Sequence, residues 1–227
     1  PLLAGCAGEP PAGHAELLKR MLTPDLSPGA EIDEIRSSPI GGLLEVRVGR
    51  QILYATEDGK YIVTGQIFER ESKTNLTQAS EAAASAGILA SVDKSRAHIY
   101  APKRASKGTV FVFTDPSCPY CQRFHDEVPA LVEAGVEVVY LGFPREGLGG
   151  NAERLLSGAF CAENKDAEFD AIMGDAPIAK EAGCLSPVSY HLDIAQRLHV
   201  QGTPAIFAAD GRQLGGYLTA AQLVDQL

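Results

Sequence analysis

The pattern of apolar and polar residues divides the chain into a first half with short β-like runs and a second half in which strands and helices alternate. In the first half, residues 43–48 and 51–56 carry β-branched and aromatic side chains in short runs, which is typical of half-buried strands. The dipeptide Asp58-Gly59 separates the second run from a third one at 61–68 and predicts a tight hairpin turn. The first half is therefore expected to contain strands joined by at least one hairpin.

The segments on either side of these strands differ from them in composition. Residues 1–30 carry Pro and Gly around one short amphipathic stretch, and we interpret them as a leader or tether before a domain at 31–74. Residues 75–107 predict a linker, because an Ala-rich helix there is followed by a polar, basic connection. Asn75 is expected to cap that helix, although Asn75-Leu76-Thr77 is also a formal glycosylation sequon.

The second half, residues 108–227, alternates apolar strand patterns with helical ones. The run 136–143 is strongly apolar, as strands buried inside a sheet usually are. The order strand–helix–strand, helical insertion, strand–strand–helix is similar to the thioredoxin topology. Strands are predicted at 109–114, 136–143, 205–208 and 212–215, and helices at 118–134, 151–163, 168–173, 188–198 and 219–227.

A Cys-Pro-Tyr-Cys motif lies at the junction of the first of these strands and its helix. Cys118 is expected to face the unpaired N–H groups and the positive end of the helix dipole, which favour the thiolate and lower the pKa of its thiol. Pro119 suits the first helical turn, Tyr120 follows it, and Cys121 comes one turn later in a more buried position. This spacing predicts that Cys118 attacks disulfides and that Cys121 resolves the mixed disulfide.

A zinc site is the competing interpretation of the two cysteines. A structural zinc needs two further ligands at suitable spacing, and the chain has no second CxxC and no paired His motif. His125 alone is expected to be a helix-surface or packing residue. We therefore predict redox chemistry at this motif, with no metal and no cofactor.

Thr203-Pro204 precedes the predicted strand 205–208. Without other information, Gly202-Thr203-Pro204 predicts only a turn. With a CxxC motif upstream in a thioredoxin-like fold, we expect a cis-proline that packs beside the two cysteines. The preceding Thr203 is then expected to offer backbone groups to a substrate that binds as an added strand.

The remaining cysteines make the total of five an odd count. Cys161 and Cys184 have neither CxxC spacing nor a helix-start position, and we interpret them as a structural disulfide that closes the insertion. A second redox pair is the alternative. Cys6 lies in Leu3-Ala4-Gly5-Cys6, which resembles the lipobox of bacterial lipoproteins. The other interpretation of Cys6 is an ordinary export signal, and both interpretations predict an exported protein.

Charge and hydropathy exclude two classes of partner. The net charge is −9 and basic residues do not cluster, which argues against nucleic-acid binding. No apolar run approaches the length of about 18 residues that a transmembrane helix needs. Apart from a lipid anchor at Cys6, the chain is expected not to enter a membrane.

These residues together resemble the DsbC/DsbG family of bacterial periplasmic disulfide isomerases, from about residue 31 to the end. The marks of the resemblance are the stretches 54–60, 114–121, 143–145 and 202–205. The resemblance implies an N-terminal cystatin-like dimerisation domain, a linker helix and a C-terminal thioredoxin-like domain with a helical insertion, in an α+β and α/β architecture. It also implies a V-shaped homodimer that acts on misfolded disulfide-containing proteins and is kept reduced by a membrane reductase of the DsbD type.

Several functions remain open within and outside this family. Pro119-Tyr120 between the cysteines is similar to the DsbG branch, whereas the short linker helix and the pair Cys161 and Cys184 are similar to the DsbC branch. An isomerase of broad substrate range is the favoured prediction. The alternatives are a DsbG-like reductase that protects single oxidised cysteines, a dithiol oxidase, a cleft-type chaperone, and an anchored structural lipoprotein with an inert disulfide.

Overall fold

The short runs of the first half form strands, and the chain separates into two units, residues 1–84 and 85–227. The computed structural model describes residues 13–26, 29–178 and 183–227. Helix α2 crosses the boundary between the units. The elements up to its end are α1 His14–Leu22, β1 Glu34–Ser37, β2 Leu43–Val48, β3 Gln51–Thr56, β4 Ile62–Val63, β5 Phe68–Glu69, β6 Thr74–Asn75 and α2 Leu76–Ala90.

The N-terminal unit is built on a four-stranded antiparallel sheet in the order β1-β2-β3-β4. Strands β2 and β3 pair over their full length, from Leu43 opposite Thr56 to Val48 opposite Gln51. The predicted turn after β3 is present, and Gly59 adopts the left-handed φ of 69° that this turn requires.

The third predicted strand, 61–68, was wrong as a single element. Only Ile62–Val63 pairs with β3, and Phe68–Glu69 pairs instead with Thr74–Asn75 in a separate two-stranded ribbon. Gly65 has a φ of 157°, a conformation that residues other than glycine rarely adopt, and it interrupts the extended chain between the two strands.

Helix α1 differs from the expected tether over residues 1–30. Leu18 and Leu22, one turn apart on this helix, are buried, and Leu22 belongs to the core of the N-terminal unit with Val46 and Ala55. The ring of His14 hydrogen-bonds the carbonyl of Glu57, in the turn after β3. The described residues of α1 therefore pack as part of the domain, because their apolar stripe has a core to cover.

Helix α2 begins where the sequence predicted. The side chain of Asn75 accepts a hydrogen bond of 3.0 Å from the backbone N–H of Gln78, which is the geometry of an N-cap. Thr77, the third residue of the sequon, also has a structural role, because its hydroxyl hydrogen-bonds the buried phenol of Tyr54 at 2.6 Å. Capping is thus confirmed as the role of Asn75.

The C-terminal unit contains the predicted strands and helices and one further strand. After a short 3-10 turn at Lys94–Arg96, its elements are β7 His98–Tyr100, β8 Gly108–Thr114, α3 Pro119–Glu133, β9 Val136–Gly142, α4 Asn151–Cys161, α5 Lys165–Met173, α6 Val188–Arg197, β10 Ala205–Ala208, β11 Gln213–Gly215 and α7 Ala220–Val224.

The five strands form one sheet in the order β11-β10-β8-β9-β7. Strands β8 and β9 are parallel, and the other pairs are antiparallel. The sequence missed β7, which lies in the segment assigned to a polar connection and pairs with β9 from His98 opposite Tyr140. This domain therefore begins upstream of residue 108, where we had expected it to start.

Both faces of the central strands are covered, which explains their apolar composition. Val110 and Val112 of β8 point into one core, with Phe124 of α3. Phe111 and Phe113 point into the core on the opposite face. Helix α3 is held against one face of the sheet by this packing, so the residues at its start are fixed relative to the end of β8.

A disulfide closes the helical insertion. Cys161, the last residue of α4, is bonded to Cys184 in the loop before α6, with the two Cα atoms 5.6 Å apart. Cys6 lies outside the described residues. No helix within the described ranges is long and apolar enough to cross a membrane.

The packing of α1 generates a paired test. Leu18 is 1% exposed, whereas its neighbour Leu17 is 47% exposed on the same helix. Leu18→Ala is expected to lower the free energy of unfolding of the N-terminal unit by about 2–4 kcal/mol, and Leu17→Ala by less than about 0.5 kcal/mol. Urea unfolding followed by circular dichroism measures both, with hydrogen exchange of β3 amides assigning the transition. Equal effects of the two substitutions would mean that α1 is a tether after all.

Candidate active site

The two cysteines of the motif lie where a strand of the sheet gives way to a helix. Strand β8 ends at Thr114, and Cys118 is the N-cap residue of α3, with Pro119 in the first helical turn. Cys118 and Cys121 are both free and buried. The backbone N–H groups of Cys121 and Gln122 point at the carbonyl of Cys118, so the helix starts immediately after this residue.

The surroundings of the two sulfurs push their pKa values in opposite directions. Burial alone raises the pKa of Cys118, but the nearby Thr203 side chain, Cys121 and the Tyr120 backbone lower it overall. Burial raises the pKa of Cys121 to about 12, against a weaker opposing effect of the Asp115 N–H, which lies 3.5 Å from its sulfur. These surroundings therefore favour a thiolate at Cys118 over one at Cys121.

The peptide bond between Thr203 and Pro204 is cis and lies against the motif. The thiol of Cys118 donates to the carbonyl oxygen of Thr203, at a distance of 3.3 Å. The next residue, Ala205, pairs with Phe113 of β8, which brings this segment beside the start of α3. The structure thus brings together all of the residues that the sequence assigned to the redox site.

Two buried threonine hydroxyls complete the surroundings of the sulfurs. Within the described residues, the Oγ1 atoms of Thr114 and Thr203 are buried and have no hydrogen-bond partner. Both side chains nevertheless oppose the effect of burial on the pKa of Cys121. No sequence pattern pointed to Thr114, because a threonine at the end of a strand is common.

An ion pair between the buried Asp115 and the half-exposed Arg145 fixes the turn between β8 and α3. The carboxylate of Asp115 is 0% exposed and accepts hydrogen bonds from the backbone N–H and Nε of Arg145, at 2.8 and 3.1 Å. Its other oxygen accepts from the N–H and hydroxyl of Ser117. The Arg145 guanidinium also donates to the Ser117 carbonyl at 3.1 Å. These hydrogen bonds therefore fix the turn from Asp115 to Ser117, the residue before Cys118.

Arg145 also brings a positive charge to the sulfurs. The hydrogen bond with Asp115 is the largest cause that raises the pKa of Arg145, and the negative charges of Cys118 and Cys121 as thiolates raise it further. By reciprocity, the guanidinium stabilises the thiolate. The sequence contained a signal for this pair, because residues that follow neighbouring parallel strands meet at one edge of the sheet.

The remaining candidate residues contact the motif or the elements packed around it. Tyr120 is exposed beside Cys118. Gln122 donates from Nε2 to the carbonyl of Pro116 and to the carboxylate of Asp175, linking the motif to the loop after α5.

His125 hydrogen-bonds Tyr140 and Asp170. Among the described residues, no group of three or more His, Cys, Asp or Glu is arranged to hold a metal ion.

Two family models match this chain. A disulfide bond isomerase protein N-terminal domain matches residues 11–78, and a thioredoxin-like domain matches residues 95–227. Curated relatives are similar over most of the length. The thiol:disulfide interchange protein DsbC of Salmonella typhimurium is 32% identical over 83% of this chain and 78% of the relative, and the DsbC of Dickeya dadantii is 29% identical over 99% and 90%.

Solved structures resemble part of the chain. A disulfide interchange protein from Neisseria gonorrhoeae superimposes with a TM-score of 0.51 at 25% identity, covering 60% of this chain and 97% of that one. The catalytic domain of Proteus mirabilis ScsC gives a TM-score of 0.51 at 21% identity, over 64% and 96%, which shows a shared fold.

The ion pair of Asp115 and Arg145 can be tested against an exposed pair. Arg145→Gln leaves the buried carboxylate without its cation and is expected to lower the free energy of unfolding by about 3 kcal/mol. Because a cation beside the sulfur is lost, the pKa of Cys118 is expected to rise towards the ordinary cysteine value by on the order of 0.5 unit. Urea unfolding and the pH dependence of iodoacetamide alkylation measure the two effects.

Arg212→Gln is the control, since Arg212 pairs with the exposed Asp210 in the same domain. It is expected to cost less than about 1 kcal/mol and to leave the alkylation profile in place. An unchanged alkylation profile in Arg145→Gln would contradict the electrostatic role of Arg145.

Proposed function

This chain belongs to the family of the thiol:disulfide interchange protein DsbC, and from that premise we propose that Cys118 and Cys121 carry out its reaction. The protein is a thiol–disulfide oxidoreductase, and family membership supports disulfide isomerisation as its activity. The observation that carries the residue assignment is the asymmetry of the two thiols at the start of α3. The pKa of Cys118 is lowered, while burial raises that of Cys121 to about 12.

The first step is attack on a wrong disulfide. The thiolate of Cys118 forms a bond with one sulfur of the substrate, the substrate S–S bond breaks, and the second substrate sulfur leaves as a thiolate. In isomerisation, that thiolate attacks another disulfide of the substrate. A further substrate thiolate then attacks the mixed disulfide and releases Cys118 as a thiolate, so no electrons are gained or lost.

The second outcome is net reduction. Cys121 loses its proton and attacks the sulfur of Cys118, which forms a disulfide between them and releases the substrate as a thiol. The high pKa of Cys121 keeps most of its thiol protonated at neutral pH, so this release is slow. Slow release supports isomerisation over single-step reduction, because the mixed disulfide lasts long enough for the substrate to rearrange.

Substrate binding is supported by the backbone beside the cysteines. Thr203 precedes the cis-proline, and its carbonyl already lies at the sulfur of Cys118. An extended substrate segment pairing with this backbone aligns its disulfide with Cys118. The exposed ring of Tyr120 offers an apolar contact to the same segment.

A homodimer is supported by the edge of the N-terminal sheet and by the family of this domain. Strand β4 is the last strand of the sheet and exposes Ile62 and Val63, and Tyr61 just before it is also exposed. An exposed apolar edge strand pairs with another chain unless it is covered. A second copy of β4 would cover it.

The redox cycle implies a location and an electron donor. The protein works in the periplasm, as the family does, where disulfides form in exported proteins. Each net reduction leaves Cys118 and Cys121 oxidised, so a dithiol donor, which we propose is a membrane reductase of the DsbD type, restores them. Lipidation of Cys6 remains part of this proposal.

Cysteine substitutions test the roles of the two thiols. Cys118→Ser is expected to reduce the reactivation of a scrambled multi-disulfide protein at least about 100-fold, because no nucleophile remains. Cys121→Ser keeps the nucleophile and is expected to accumulate mixed disulfides, seen as a higher-mass band on non-reducing gels. Regain of substrate activity and the gel are followed in the same reactions.

Three results would overturn this assignment. Reactivation that survives Cys118→Ser would leave the chaperone alternative, in which holding an unfolded chain is sufficient. Substrate that is only reduced by the wild-type protein would favour the DsbG-like reductase. Substrate that is only oxidised would favour a dithiol oxidase.

The dimer edge can be tested with two isoleucines of equal exposure. Ile62 in β4 is 44% exposed, and Ile40 in the turn between β1 and β2 is 45% exposed. Ile62→Glu is expected to give a monomer by analytical ultracentrifugation and to lower isomerase activity, while Cys118 still reacts with a small disulfide. Ile40→Glu is expected to stay dimeric. A dimer in both variants, or a monomeric wild type, would contradict pairing through β4.

A further inference from the structure

The catalytic domain has a groove that the thiol chemistry does not use. It lies between α3 and α5 and encloses about 520 Å³. Its floor is apolar and is formed by Val128, Val132 and Met173. Its rim carries the carboxylates of Asp126, Asp166 and Asp170, all of which are exposed. We name this feature the α3–α5 groove.

The charges of the groove do not cancel. Lys103 is the lone Lys or Arg among the residues that line it, and its ammonium is paired with Glu133 at 2.9 Å. The side chains of Asp166 and Asp170 are each 70% exposed and contact His98 and His125. Burial lowers the pKa of His98 to about 4, so this imidazole is neutral at pH 7 and leaves the charge of Asp166 in place. The rim therefore attracts cations.

An apolar floor below an acidic rim matches one kind of side chain in particular. Lysine and arginine have a long aliphatic stem and a cationic head, and such side chains lay the stem on apolar surface while the head reaches polar groups. A small inorganic cation gains nothing from Val128, Val132 and Met173. A purely apolar side chain leaves the carboxylates of the rim without a partner.

Helix α3 carries both the active-site cysteines and one wall of the groove. Cys118 is the N-cap of this helix, and the rim residue Asp126 follows at a distance of about 12 Å along the axis, given about 1.5 Å per residue. At the other wall, Gly174 is followed by Asp175, whose carboxylate accepts a hydrogen bond of 2.7 Å from Gln122. An extended chain covers 12 Å in about four residues.

We propose that the α3–α5 groove binds a lysine or arginine side chain of the substrate polypeptide, about four residues from the cysteine that Cys118 attacks. This inference rests on the proposed function for its substrate, and it adds a preference for wrong disulfides that have basic residues nearby. The α3–α5 groove then determines which segments of the substrate polypeptide bind next to Cys118.

The test uses peptides without cysteine, so that binding is measured apart from redox chemistry. One fluorescent peptide alternates Arg and Leu, and a second replaces each Arg with Glu. The reduced full-length protein is expected to bind the first peptide in fluorescence anisotropy and not the second. Asp126→Asn/Asp170→Asn is expected to weaken binding of the first peptide about five- to tenfold, as for two partly screened ion pairs.

Asp193→Asn/Asp225→Asn is the matched control, because it removes the same charge from exposed positions on α6 and after α7. It is expected to change the affinity less than about twofold. The reaction of Cys118 with a small uncharged disulfide is measured for every variant and is expected to stay at the wild-type rate. If the wild-type protein does not react with this small disulfide, the proposed function is refuted. The peptide results concern the groove alone.

Each remaining outcome decides the proposal. Equal weakening in both double variants would mean general attraction to an acidic protein and would overturn it, as would unchanged binding in Asp126→Asn/Asp170→Asn. Arginine methyl ester that binds as tightly as the peptide would overturn it in favour of a small-cation site. If a double variant does not fold, amide chemical shifts of wild-type residues 126–132 decide, because the basic peptide must move them and the acidic one must not.

Discussion

The carboxylate of Asp115 is the point on which the geometry of the catalytic domain depends. It has no contact with solvent, and a buried charge of this kind persists only with a counter-ion and a full set of hydrogen bonds. Arg145 and Ser117 supply both, and in doing so they tie together the end of β8, the segment after β9 and the turn before α3. The start of α3 is consequently rigid, and the sulfur of Cys118 has a defined position.

Three separate segments of the chain create the chemistry at that position. The helix start brings N–H groups and a dipole, the segment after β9 brings the guanidinium of Arg145, and the loop before β10 brings the carbonyl and hydroxyl of Thr203. Burial acts on both sulfurs, but only Cys118 receives enough stabilisation to overcome it. The difference between two chemically identical thiols is therefore produced by the fold around the motif together with Tyr120 and Cys121 of the motif itself.

Much of the architecture could be predicted from local patterns. The apolar runs that became β8 and β9, the capping residue Asn75 and the Cys-Pro-Tyr-Cys motif all carry their signal within a few neighbouring residues. Strand β7 is too short for any periodicity and is recognised only by its pairing with β9. Helix α1 is a short amphipathic stretch beside segments that carry Pro and Gly, and its burial depends on a core that forms elsewhere. The contact of Asp115 with Arg145 depends on sheet register, which no local window contains.

Cys121 lies beneath Cys118 with no surface of its own. With Cys118 as the proposed attacking residue, every external thiol or disulfide must therefore exchange with the protein at one and the same sulfur. The substrate that is being rearranged and the donor that restores the thiols cannot bond to Cys118 at the same time. Each excludes the other while its mixed disulfide lasts. Turnover is thus governed by competition for a single sulfur, so an excess of clients slows the recovery of any molecule that has become oxidised.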